Sequence, residues 1–178
     1  MKKILMGGFG GQGIQVMGRV LAFSAVTEGK NSCWVPSYGP EKRGGTTDCS
    51  VIISDGDIPS PLVSIADYVV VLNDVAFEKF KNSVAPGGCM IVNSSLISAK
   101  IERDDIKVHY IPLNKIAIEL GSEKIVNMLS LGALLKLSEC VSKESVLKVL
   151  QDSLGQKEAN LAKLNQESIE KGIAVASA

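Results

Sequence analysis

The chain is predicted to be α/β: a Rossmann-like, mostly parallel sheet with helices on both faces and a helical C-terminal region. Three observations predict it. The short apolar runs Ile4-Leu5-Met6, Tyr68-Val69-Val70-Val71-Leu72 and Cys89-Met90-Ile91-Val92 are bounded by turn residues, as buried parallel strands are. Helical periodicity alternates with these runs and takes over from about residue 115 to residue 178. Hydrophobic residues make up 46% of the chain and aromatics only 4%, which describes an aliphatic core of Val, Ile, Leu and Ala. A length of 178 residues suits one domain spanning 1–178.

The first strand runs into Gly7-Gly8-Phe9-Gly10-Gly11-Gln12-Gly13, five glycines in seven positions, and a helix follows. Such a turn leaves main-chain N–H groups unpaired at a helix start, where their dipoles sum to partial positive charge and favour an anion. Gly8 to Gly13 fits G-x-G-x-x-G, a spelling shared by dinucleotide sites and by glycine turns selected only for tight packing. The dinucleotide version needs an acidic residue about 20 positions on, at the end of the second strand, to hold the ribose. That strand, Asn31-Ser32-Cys33-Trp34-Val35-Pro36, ends at Ser37 without a carboxylate; Glu28 precedes it and Glu41 lies beyond.

Along the helix that starts at Gln12, Ile14, Met17 and Leu21 form one apolar face and Val16, Val20 and Phe23 a second. A helix apolar on two sides is covered twice, either by a second internal layer or by a partner chain. Gly29 closes it. After the loop Ser37–Gly45 comes a strand Thr46–Ile53, and Asp55-Gly56 has the spelling of a hairpin turn. A helix from Val75 to about Val84 is stopped by Pro86-Gly87-Gly88, ahead of the strand Cys89–Val92 and a last strand Val108–Ile111. Helices follow over about Lys115–Leu120, Lys124–Leu137, Lys143–Leu154 and Lys157–Ile173.

Ligands on such sheets sit beyond the carboxyl ends of the strands. The residues emerging there are Gly7–Gly13, Ser37–Gly45, Asn73-Asp74 and Asn93-Ser94-Ser95, the last two groups also being ordinary turn and helix-cap chemistry. Arg43 beside Gly44-Gly45 reads as an anion grip, because a guanidinium forks two oxygens and glycines clear the approach. The competing reading is a solvated charged loop.

Other chemistries are disfavoured. Lys plus Arg equals Asp plus Glu at 19 each, so the formal charge is zero and no basic stretch addresses nucleic acid. The four cysteines, Cys33, Cys49, Cys89 and Cys140, are far apart with no C-x-x-C pair, which argues for buried thiols and against a metal or cluster held by this chain. His109, the single histidine, sits mid-strand among apolar neighbours, so no catalytic residue is assigned. No run reaches membrane-spanning length, and a reducing cytoplasm is the expected setting.

Together, Gly8-Phe9-Gly10-Gly11-Gln12-Gly13-Ile14 and Ser37-Tyr38-Gly39-Pro40-Glu41-Lys42-Arg43-Gly44-Gly45 resemble the gamma subunit of 2-oxoacid:ferredoxin oxidoreductases, with the Ser-Tyr-Gly-Pro-Glu-x-Arg-Gly-Gly wording closest to the 2-oxoglutarate branch. The likeness extends to Ser54-Asp55, Pro59, Asp67-Tyr68 and the helix from Asn127 to Leu134. It implies an accessory subunit that helps bind coenzyme A during oxidative decarboxylation to an acyl-CoA. Thiamine diphosphate, Mg and iron–sulfur clusters would belong to alpha, beta and ferredoxin-like delta partners, and ferredoxin would accept the electrons. Carried over by position, Gly8, Gly10, Gly11, Gln12 and Gly13 would line the first loop, and Tyr38, Arg43, Gly44 and Gly45 the second. A stand-alone NAD(P)-dependent oxidoreductase and a purely structural interface subunit are the alternatives.

Overall fold

A computed structural model describes residues 1–39, 45–154 and 159–177. Its strands are β1 (Lys2–Phe9), β2 (Asn31–Tyr38), β3 (Thr46–Ser54), β4 (Ala66–Val71), β5 (Val84–Asn93) and β6 (Lys107–Ile111). The helices are α1 (Ile14–Thr27), α2 (Asp74–Phe80), α3 (Leu113–Glu119), α4 (Val126–Ser138), α5 (Lys143–Leu154) and α6 (Ala159–Ala176), with a 3₁₀ turn at Glu123–Ile125. One six-stranded sheet has the order β2-β3-β1-β4-β5-β6. β1, β4, β5 and β6 pair in parallel, as the buried apolar runs require. β3 is the exception, antiparallel to both β1 and β2.

The position of β3 corrects the expected hairpin. Residues 39–45 connect the antiparallel pair β2 and β3, whereas Asp55-Gly56 leads out of β3 toward β4, which lies on the far side of β1. Helix α1 therefore carries the chain past β3 to the sheet edge. Pro36 fits there, since an edge strand tolerates a missing N–H. A second correction concerns Pro86-Gly87-Gly88, which lies inside β5. Pairing shifts between Ala66↔Val84 and Tyr68↔Cys89, so the extra residues bulge out, with Gly87 at φ 77° and its N–H donating to Asp105 O at 2.7 Å.

Strand alternation divides the core. Ile4, Met6, Val51, Val70 and Ile91 face α1 and α4, while Leu5, Val69, Val71, Met90 and Val92 face α2 with Ile97 and Ile106. Helix α4 is buried on nearly all sides, as its apolar sequence demands. Gly132 on α4 and Gly172 on α6 make that possible: a Cβ at Gly172 would run into Leu129 O and come within 3.0 Å of Gly132 Cα, so the two backbones touch. Helix α1 is covered only in part. α5 packs against it and Val20 is buried, yet Val16, Phe23 and Val26 remain 41%, 56% and 57% exposed. Gly29, at φ 77°, ends α1 as expected.

Candidate functional site

The two glycine loops meet at the carboxyl end of the sheet. Register aligns Tyr38 of β2 with Thr47 of β3 and Gly8 of β1, so the strands deliver both loops to one edge. Gly10 N–H donates to Gly45 O at 2.9 Å, and Gly39 N–H donates to Thr46 O at 2.7 Å.

The first loop is a tight turn held by its own glutamine. Gln12 N–H donates to Phe9 O at 3.1 Å, and the Gln12 carboxamide folds back so that its Oε1 accepts from Phe9 N–H at 2.6 Å. Asn73 Nδ2 donates to the same Oε1 at 3.2 Å. Gly8 lies beneath this side chain, where a Cβ would come within 2.6 Å of Gln12 Oε1. Gly10 and Gly11 are exposed above it. Helix α1 begins at Ile14, two residues later than the periodicity suggests, because Gly13 adopts φ 75° and serves as its N-cap. No side chain caps that helix start and no carboxylate occupies its first turn. Among the described residues, the positive end of the helix dipole is thus left without a counter-charge from its own first turn, beside the exposed Gly11 amide.

Gln15, missed in the sequence, ties this helix start to the second loop. Its Nε2 donates to Thr47 Oγ1 and Asp48 O, both at 2.9 Å, and reaches Ser37 O at 3.3 Å. Asn127 supports it from below, its Nδ2 donating to Gly13 O at 3.5 Å from the first turn of α4. On the opposite sheet face Lys79 Nζ pairs with Asp48 Oδ1 at 2.6 Å.

The sequence-predicted residues Gly8, Gly10, Gly11, Gln12, Gly13, Tyr38 and Gly45 therefore share one end of the sheet, with Tyr38 69% exposed at its rim. Arg43 and Gly44, like Glu41 and Lys42, lie outside the described residues. The other rim groups do structural work. Asn73 Oδ1 caps α2 through Ala76 N–H at 2.8 Å, and buried Asn93 donates to Leu72 O at 3.2 Å and to Asn114 Oδ1 at 2.8 Å. The four cysteines are free thiols. Burial pushes Cys49 up to about 12, so it is no nucleophile. Among the described residues no cluster of His, Cys, Asp or Glu could hold a metal ion.

An α/β chain that joins two glycine loops across a β1–β3 pair, with an uncapped helix start between them, defines a class of Rossmann-like domain with paired glycine loops at the carboxyl end of its sheet. The chain belongs to the pyruvate ferredoxin/flavodoxin oxidoreductase family, whose model matches residues 3–175. It is 40% identical over 165 residues to the 2-oxoglutarate synthase subunit KorC of Methanocaldococcus jannaschii, covering 90% of this chain and 88% of that one. The keto/oxoacid ferredoxin oxidoreductase gamma subunit of Geobacter sulfurreducens has the same fold, with a TM-score of 0.84, 29% identity and 99% of each chain covered. The 2-oxoglutarate:ferredoxin oxidoreductase of Magnetococcus marinus, whose structure holds 2-oxoglutarate, coenzyme A and succinyl-CoA, superimposes with a TM-score of 0.91 at 26% identity. That match covers 99% of this chain and 31% of the longer one. The chain is a gamma-type subunit of a 2-oxoacid:ferredoxin oxidoreductase.

Proposed function

We propose that this chain serves a 2-oxoglutarate:ferredoxin oxidoreductase by holding the phosphates of coenzyme A at its paired loops. The observation that carries the reading is the Gly10–Gly45 bond, which joins the two motifs beside the uncapped start of α1. With Gly10 N–H given to Gly45 O, the exposed Gly11 amide and the helix dipole supply the donor field without a bulky side chain, and Arg43 supplies the forked cation. Tyr38 at the rim offers a stacking face for the adenine. The site residues of this reading are Gly8, Gly10, Gly11, Gln12, Gly13, Tyr38, Arg43, Gly44 and Gly45, acting within one domain.

The donor set does not fit thiamine diphosphate with Mg or an iron–sulfur cluster, since its four cysteines are separate and no acidic cluster is present among the described residues. Those groups are assigned to alpha, beta and delta partners, with ferredoxin as the electron acceptor of the complex. The half-covered α1, with Val16, Phe23 and Val26 exposed, supports an assembled subunit. Free thiols support the cytoplasm.

The test is to purify the complex with this chain as wild type and as Arg43→Ala, and to measure steady-state kinetics against coenzyme A. The reading expects a rise of about tenfold in KM for coenzyme A with kcat for 2-oxoglutarate nearly kept. An unchanged KM would reduce the chain to an interface subunit, and a complex active with pyruvate alone would move it to the pyruvate branch named by the family. Tight NADH binding by the chain alone would revive the dinucleotide reading.

A further inference from the structure

At the end of the sheet opposite the glycine loops, register sets three polar side chains abreast. Tyr68 of β4 pairs with Cys89 of β5, which pairs with Lys107 of β6. Strand alternation adds His109, two positions beyond Lys107, and Lys2 of β1 to the same face. The end of α4 closes the other side through Leu137, leaving a cleft of about 430 Å³. That is room for a small metabolite and not for a macromolecule.

The cleft is rich in donors and short of acceptors. Lys2 Nζ is held by Ser138 O at the carboxyl end of α4, where it offsets the negative end of that helix dipole. The ion pairs among the described residues include neither Lys2 nor Lys107. The lining carboxylate, Asp67, is engaged by Lys3 N–H at 2.7 Å. Burial, and then the neighbouring Lys107 ammonium, hold His109 below its ordinary value, which favours the neutral imidazole beside a cation that makes no ion pair among the described residues.

We propose that this cleft is a second anion site, separate from the glycine loops, that takes a small phosphate or carboxylate between Lys107 and His109. An oxyanion there accepts from the Lys107 ammonium and from an imidazole N–H, with the Tyr68 hydroxyl within the same wall. Its charge also offsets the Lys107 ammonium and so favours the imidazolium form of His109. The titratable and charged groups that share the cleft with His109 are then the ligand, Lys107 on its own strand, Cys89 on β5, Tyr68 and Asp67 on β4, and Lys2 on β1. Beyond the end of α4, Glu139 adds a negative field that acts on Tyr68.

His109 is the single histidine of the chain, so its ring resonances report this site without assignment ambiguity. The full chain would be titrated with sodium phosphate and, separately, with sodium succinate, at ionic strength held constant with sodium chloride, while the His109 ring is followed by NMR across pH. The proposal expects a saturable shift with at least one of the two anions and a His109 pKa raised by about one unit at saturation. Saturation with phosphate alone identifies a phosphate ligand, and with succinate alone a carboxylate. Lys107→Gln, a change at an exposed strand position, should abolish saturation while the amide spectrum of the remainder is kept. Shifts that stay linear with both anions, or saturation that survives Lys107→Gln, would overturn it. Neither result bears on the coenzyme A reading.

Discussion

Asn73 and Gln12 are joined side chain to side chain, Asn73 Nδ2 donating to Gln12 Oε1 at 3.2 Å while Asn73 Oδ1 caps α2 at Ala76 N–H. One carboxamide thus serves a helix start and a glycine loop at once. The two duties can be separated by substitution. Asn73→Asp keeps the acceptor for Ala76 but sets a carboxylate against Gln12 Oε1, whereas Asn73→Ala removes both. We predict that Asn73→Ala costs about 1 kcal/mol in urea unfolding and Asn73→Asp less. Both should raise the hydrogen-exchange rate of the Phe9 amide, and only Asn73→Ala should raise that of Ala76. Unchanged Phe9 exchange in both variants would show that Gln12 holds the loop unaided.

Gly13 carries two constraints. Its φ of 75° costs an L-residue about 1–2 kcal/mol, and a Cβ there would collide with the Asn127 carboxamide. Gly13→Ala is expected to lose both contributions. The double variant with Asn127→Ala should recover the collision but not the backbone cost, leaving a favourable coupling in a double-mutant cycle measured by chemical denaturation. Strict additivity would mean that the Asn127 side chain simply swings aside.

The glycine turn, the first helix and the last four helices are legible because their signals are local: caps, breakers and apolar spacing within one segment. The direction of β3 is not. Thr46–Ser54 reads as a buried strand in either orientation, and whether it pairs antiparallel with β1 depends on where α1 deposits β2. The Asp55-Gly56 spelling suggests a hairpin, but turn spelling cannot outweigh the pairing of β4 with β1. Pro86-Gly87-Gly88 fails for a related reason, since a bulge inside a paired strand and a helix stop use the same residues. In the site, Gly10, Gly11 and Gly45 carry a spelling, while Gln15 acts through tertiary approach and carries none, and Asn127, within a recognised segment, shows its contact with Gly13 only in the fold.

Glu28 links the end of α1 to the start of α5, its carboxylate accepting from Ser142 N–H at 2.6 Å and from Lys30 Nζ at 2.9 Å. Burial pushes its pKa upward, but the Ser142 N–H and the Lys30 ammonium outweigh that and bring it down to about 2 from 4.5. Because the folded value lies below the unfolded one, the contribution is present above about pH 4.5 and is lost as pH falls toward 2. Glu28→Gln should therefore be less stable by about 1 kcal/mol at pH 7. The gap in urea midpoints should close on acidification, and a constant gap across the acid range would refute the assignment.

The Gly132–Gly172 contact sets a steeper test, because no rotamer change can relieve it. The atoms met by a Cβ at Gly172 are Leu129 O, Ala133 N and Gly132 Cα, all backbone of α4, so α6 must move away bodily. Moving α6 uncovers the outer side of a helix buried from Val126 to Leu135, and it loosens Ile169, which is fully buried between them. Overpacking of this kind typically costs about 1–3 kcal/mol. Gly172→Val is predicted to fall at or above the upper end, to bind a hydrophobic dye in the native baseline, and to speed exchange of the α6 amides. The first glycine loop lies between β1 and α1, and among the described residues α4 donates a hydrogen bond to it from Asn127, at its other end from Ser138. Exchange at Phe9 and Gly10 should accordingly stay near wild type in the same sample. Loss of protection at both ends together would mean that α4 passes the displacement along its whole length, making the α4–α6 seam a determinant of loop geometry and not of stability alone.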